Sequence, residues 1–262
     1  MVRTLLIRGL LVGLVAGLLV FAVGKVVGEP QVDRAIAFET AMDQAKAQAD
    51  MAKGMPGRQA EPELVSRKVQ ASFGLFTGVV VYSAAFGGLF ALVFAFAYGR
   101  IGNLRPRAVS ALLALGGFVA LYLVPNLKYP ANPPSVGEPE TIALRTGLYF
   151  SIMLISIVAM VLAVMAQRRL ASRFDVWSAT LLATAGYLIV ITLADSMLPA
   201  INEVPDGFPA VLLWQFRMAS LGMQAVMWAT IGLLFGALTE RAMESQFRLS
   251  AQGLMHPVVR LT

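Results

Sequence analysis

The chain contains no cysteine, a single histidine (His256) and little charge, with Asp, Glu, Lys and Arg making up 14% of its 262 residues. Without cysteine there is no disulfide framework, thiolate metal site or iron–sulfur cluster, and one histidine cannot supply both axial ligands of a haem. A soluble domain averages about 25% charged residues. With 58% hydrophobic residues and a mean hydropathy of +0.72, this chain lacks the polar side chains to cover a globule of its size. An ordinary soluble enzyme is excluded. A GxxxxGK[ST] phosphate loop is also absent, so ATP hydrolysis by this chain is not expected. The charge that is present is biased: Lys+Arg 21 against Asp+Glu 15, a net +6 and a pI near 9.9. In a lipid-soluble chain that excess first reports topology, and no nucleic-acid partner is inferred from it.

What the sequence has in abundance is long apolar runs. A spanning helix needs ~20 mostly apolar residues, and six stretches qualify: 5–27, 72–98, 108–127, 147–166, 176–198 and 211–238. The first is longer than the ~7–15-residue apolar core of a signal peptide and reads as a true span. The expected fold class is therefore all-α, a polytopic integral membrane helix bundle of six transmembrane helices. It forms one membrane domain over 1–250, followed by a cytoplasmic tail over 251–262. Arg3 and Arg8 precede span 1, and Arg100, Arg105 and Arg107 lie between spans 2 and 3. Arg168, Arg169 and Arg173 lie between spans 4 and 5, and Arg241, Arg248 and Arg260 follow span 6, whereas 199–210 carries only Glu203 and Asp206. That alternation predicts both termini in the cytoplasm. In the long external loop 28–71, Val32, Ile36, Ala41, Met42, Ala45, Ala49 and Ala52 recur near helical spacing. They predict an amphipathic external helix over 31–53, ended by Gly54, Pro56 and Gly57.

Small residues at four-residue intervals mark helix-packing faces. They are Gly9, Gly13 and Gly17 on span 1, Gly74 and Gly78 on span 2, and Gly232 and Gly236 on span 6. Intramembrane ionisable residues are fewer. Asp195 near the end of span 5 and Arg217 two turns into span 6 stand at similar depth, and an ion pair between them is expected to offset their desolvation. Two roles stay open for it, a tie across the 5–6 hairpin and a station on a permeation path. Gln215 and Gln224 are expected to hydrogen-bond between helices, and Lys25 to snorkel to the interface. Five prolines between 125 and 139 stiffen the loop after span 3, as a gate, docking surface or rigid cap requires. Ser135 is placed to cap a helical turn. Glu138 and Glu140, with Asp195, form a candidate metal or cation path.

The runs GGLFALVFAFAYGR (87–100) and LVPNLKYPANPPSVGEPETIALRTGLY (123–149) resemble the membrane subunit of a bacterial cobalt transporter family, CbtA. The resemblance is densest over about 70–150. It implies a location in the bacterial cytoplasmic (inner) membrane and a role in importing cobalt for cobalamin biosynthesis. It also implies a small single-span partner, CbtB, that carries a C-terminal histidine motif. Six spans exceed the five usually ascribed to the family, and the family supplies a substrate class rather than a ligand set.

Cobalt(II) is bound well by imidazole and carboxylate. The only histidine here lies in the tail, and Met218, Met223 and Met227 are read as packing residues. Capture by the histidine-bearing partner would supply the missing imidazole. Cobalt(II) is then a transported substrate, no cofactor is bound permanently, and the potential alone gives a divalent cation ~4.6 kcal/mol per 100 mV. The expectation is a permease-type subunit for cobalt(II) or a similar divalent ion. A non-transporting scaffold subunit of a larger membrane complex or oligomer is the alternative. No nucleophile–base pair is visible, so no enzyme is expected.

Overall fold

In a computed structural model, residues 2–54 and 65–255 are described, the side chains of 247–255 excepted. His256 and the rest of the tail beyond 255 lie outside the described residues. Every regular element among the described residues is helical, and six helices are long and apolar enough to cross a membrane. They are α1 (Val2–Ala52), α2 (Arg67–Ala97), α3 (Pro106–Lys128), α4 (Pro139–Leu170), α5 (Val176–Met197) and α6 (Ala210–Met255). Each expected span falls on one of them.

The largest departure is at α1. Gly28-Glu29-Pro30 reads as the end of a span, yet the helix continues without a break through to Ala52. A proline inside a helix removes one donor and crowds the carbonyl four residues back. Here the helix widens instead into a π turn at Gly24–Gly28, where the Glu29 N–H bonds to the Gly24 carbonyl. The same device recurs in α3, where a π turn at Val119–Leu123 precedes Pro125 and the Val124 N–H bonds to Val119. At ~1.5 Å per residue, the 51 residues of α1 far exceed a ~30 Å hydrocarbon layer. The expected external helix is thus the extension of span 1. None of its anticipated apolar stripe is buried: Val32, Ile36 and Met42 are half-buried and Ala41, Ala45, Ala49 and Ala52 exposed, while the packing contact comes from Ala35, which is buried, and Phe38, edge-on to Phe208 at 5.0 Å.

The chain divides into two compact units. Unit 1 (Met1–Phe21, Phe76–Leu115, Val226–Thr262) is organised by missing side chains. A Cβ at Gly13 would stand 2.7 Å from the Ala84 Cα, and one at Gly17 2.8 Å from the Val80 Cα. Gly9 and Gly87 face each other so closely that a Cβ on either would strike the other's carbonyl. The first turns of α1 therefore lie backbone to backbone on α2. Gly232 and Gly236 receive Ala114 and Ser110 of α3 in the same way, and the Ser110 hydroxyl donates to the Gly232 carbonyl at 2.6 Å. The Arg8 guanidinium donates to Thr239 at 3.0 Å, and Glu240 accepts the Arg107 N–H at 3.2 Å. Gly74 and Gly78 behave differently. A Cβ at Gly78 would meet nothing within 4 Å, and one at Gly74 only the Val69 carbonyl of its own helix at 3.6 Å. Among the described residues, these two glycines pack against no other helix.

Unit 2 (Ala22–Leu75, Gly116–Ala225) is held by polar cross-links set among small residues. The Ser156 hydroxyl of α4 shares a 2.8 Å hydrogen bond with Tyr187 of α5. Tyr122 of α3 does the same with Ser220 of α6 at 2.8 Å. Arg67 closes on Glu29 and Asp33, and Arg34 donates to Gln215 at 3.1 Å, the interhelical bond expected of that glutamine. Lys25 donates to the Ala71 carbonyl at 3.0 Å rather than reaching freely for an interface.

The glycine contacts make a paired prediction. Gly13→Ala forces backbone apart and should destabilise the protein by about 1–3 kcal/mol. Gly78→Ala meets nothing and should be neutral or gain up to ~1 kcal/mol from helix propensity. Thermal unfolding in one detergent compares them; equal effects would contradict the α1–α2 backbone contact.

Candidate functional site

Within unit 2, two irregular segments, 129–138 and 199–208, are fastened together. Both are proline-rich, and proline leaves a chain with fewer backbone donors and fixed φ. Side chains supply the missing connections. Lys128, at the end of α3, donates to the Asp195 carbonyl at 2.7 Å and lies 3.7 Å from its carboxylate. The Tyr129 hydroxyl donates to the Pro199 carbonyl at 2.8 Å. Glu203 is the central tie: its Oε2 accepts the Glu138 N–H at 2.8 Å and lies 3.3 Å from Nε of Arg145. Arg145 also donates to the Thr141 hydroxyl and the Glu138 carbonyl, each at 3.0 Å. Val136 inserts beside Ala35, Phe208 and Leu212 and anchors the loop from the apolar side.

The turn that makes this possible needs unusual backbone. Ser135 has φ 63° and Gly137 has φ 115°. A side chain at Gly137 would also occupy the Arg145 guanidinium, so glycine is required there on both counts. Ser135 consequently caps nothing: the 3₁₀ turn Pro139–Thr141 begins after Glu138 with no side-chain cap.

The segments and the adjoining helices line a half-open cavity of about 340 Å³, bordered among others by Tyr129, Asn132, Arg145, Thr146, Glu203 and Arg217. Arg217 donates through Nε to the Ala131 carbonyl (3.3 Å) and through Nη2 to Asn132 Oδ1 (3.1 Å). The Glu138 N–H foremost, then the Thr141 hydroxyl and the Arg145 guanidinium, hold the Glu203 carboxyl below its ordinary range against the opposing effect of burial. Burial, and secondarily the Asp195 charge, push the Tyr129 hydroxyl above its ordinary value and keep it a donor.

The expected Asp195–Arg217 pair does not form. Asp195 is taken by Lys128 and Arg217 by the carbonyl and amide of the 131–132 segment. Matching depth on two helices left out a third, α3, whose last residue carries the competing cation. The candidate metal residues are likewise separated in their contacts. Glu138 and Glu140 are exposed, their carboxylates making no ion pair or hydrogen bond among the described residues, while Asp195 is engaged with Lys128. Among the described residues, no group of three or more His, Asp or Glu side chains is placed to hold a metal ion. Lys128, Thr141 and Arg145 escaped sequence reasoning, although the four-residue spacing of Thr141 and Arg145 is a helical contact signal.

Residues 2–240 match a protein family described as CbtA, probable cobalt transporter subunit. The comparison with curated proteins found no match, and neither did the comparison with solved structures.

The tie at Glu203 has a testable pH signature. A carboxyl whose folded pKa is depressed contributes stability above its unfolded pKa of ~4.3, and loses that contribution as pH falls through the lower folded value. Glu203→Gln should therefore lower the melting temperature at pH 7. The gap to the parent protein should narrow as acid titrates below the ordinary carboxylate range, and a gap constant from pH 7 to pH 3 would contradict the tie.

Proposed function

The chain belongs to the CbtA family of probable cobalt transporter subunits, and from that membership we propose that it is the permease-type subunit for uptake of cobalt(II) or a similar divalent ion. The match over nearly the whole chain carries the reading. Six helices of spanning length support it, and the arginine distribution favours both termini in the cytoplasm. On that orientation the fastened 129–138 and 199–208 segments face outward in the cytoplasmic membrane of a bacterium. The exposed carboxylates of Glu138 and Glu140 are then the first oxygen ligands a cation meets. Imidazole for capture comes from a small histidine-bearing partner of the CbtB type, since this chain's one histidine is in its tail.

The scaffold reading draws on glycine faces as docking surfaces for other chains. Most of them are filled by this chain's own helices: Gly9, Gly13 and Gly17 by α2, and Gly232 and Gly236 by α3. That shifts the balance towards a subunit built to hold its own architecture.

Uptake of radiolabelled cobalt by cells expressing the chain with and without the partner tests the proposal. Uptake is expected with both chains present, reduced several-fold by the double change Glu138→Gln, Glu140→Gln. No uptake with both chains correctly inserted would reject the transport reading, and unchanged uptake in the double variant would reduce the two carboxylates to loop structure.

A further inference from the structure

The cavity lined by Arg217 has the wrong sign for a bare metal ion. Its charged lining consists of two guanidiniums, Arg145 and Arg217, and one carboxylate, Glu203. Glu203 is committed to Arg145, so the charge of Arg217 is left over. Arg217 is half-buried and meets a carbonyl and an amide oxygen, with no carboxylate partner among the described residues. A guanidinium offers five N–H donors in a rigid fork, and these two bonds use two of them. Both bonds also hold the fork in place, fixing it from the loop side. Asn132 turns its oxygen to Arg217, which leaves its amide NH2 as a further donor. Thr146 adds a hydroxyl to the lining.

A half-buried cation of this kind is costly unless an anion meets it, and its strongest partner is an oxyanion whose two oxygens accept two parallel bonds. The volume, about 340 Å³, sits at the small end of the ~300–1,000 Å³ typical of ligand sites. We propose that this cavity binds a small oxyanion, a carboxylate or a phosphate, with Arg217 as its principal ligand and Asn132 as a supporting donor. The proposal stands apart from the transport reading and does not depend on it. The same chemistry is presented by a free anion and by the headgroup of an anionic lipid.

Full-length protein in nanodiscs of phosphatidylcholine, titrated with citrate and with inorganic phosphate by calorimetry and thermal unfolding, tests the site. Nanodiscs containing phosphatidylglycerol form the lipid arm. Saturable binding of citrate or phosphate, weakened at least tenfold by Arg217→Gln, establishes the site with a free anion. An Arg217-dependent rise in melting temperature seen only with phosphatidylglycerol establishes it with a headgroup.

Asn132→Asp is the second variant, because it sets a carboxylate against Arg217 while keeping the side chain's shape. It should melt no lower than the parent protein and lose the anion response. Anion binding retained in either variant, no response to any of the three anions, or Arg217-dependent binding of cobalt(II) chloride would each overturn the proposal.

Discussion

A helix in hydrocarbon gains nothing by burying leucine, because the lipid tails around it are just as apolar. What joins two helices there is close backbone approach and the few polar groups that find partners, and both halves of this protein are arranged around that constraint. On α1 the buried positions are Leu5, Gly9, Val12, Gly13, Ala16, Gly17 and Val20 along the span, mostly small residues, while Leu11, Leu14, Leu18 and Leu19 point outward. On α4 and α5 the buried residues include Ser156, Ala159, Ala179 and Ala183, with Leu154, Val161, Leu188 and Ile189 exposed. In water such a surface would aggregate; in a bilayer it is the solvated one. Fully buried serines at 83, 110 and 156 fall on the same inward faces, two of them hydrogen-bonded to a neighbouring helix.

The two prolines that interrupt helices show how the chain keeps such faces in register. Pro30 and Pro125 each stand two residues beyond a π turn, where one extra residue per turn lets the helix accommodate the missing donor. In α1 the consequence is that Glu29 and Asp33 remain on a continuous helix and meet Arg67. In α3 it is that Lys128 and Tyr129 arrive where Asp195 and Pro199 can be reached. The ion pair itself adds little, ~0–1 kcal/mol for a partner as exposed as Asp195. Its role is to fix where the proline-rich segment starts, and the Glu203 tie fixes where it ends.

This distinguishes the parts of the protein that were legible in the sequence from those that were not. Spans were legible because length and apolarity are local quantities, and the glycines of span 1 and span 6 because a backbone contact needs small residues at helical spacing. Gly74 and Gly78 carry the same spacing and make no such contact, since the pattern records what a face permits and not what approaches it. The continuity of α1 was hidden because a glycine followed closely by a proline is a common helix-end pattern and a π turn leaves no mark of its own. Asp195 and Arg217 were correctly singled out as ionisable residues inside helices, but their partners lie on a third helix and an irregular loop. Sequence spacing holds no information about either. The segment at 129–145 was found through its composition and Glu203 as an acid of the next external loop, whereas the tie between Arg145 and Glu203 emerged only when the turn at Ser135 and Gly137 brought them together.

The distribution of acids then bears on how such a subunit handles a cation. Glu29 and Asp33 answer Arg67, Asp195 answers Lys128, Glu203 answers Arg145 and Glu240 answers Arg107. Each of these carboxylates is ion-paired within the chain, Glu29 and Asp33 sharing the one charge of Arg67, and a carboxylate so engaged is a poor ligand for a metal unless the pair opens. A partly buried pocket whose remaining charge is positive raises the energy of a bare divalent ion further, since Coulomb interactions are screened less there than in open water. A chain built this way does not gather a metal shell from its own described side chains. It holds rigid loops around a positive cavity and leaves two carboxylates on its exposed turn. That arrangement is what the hand-over proposed above, from a histidine-bearing partner, would require of this chain.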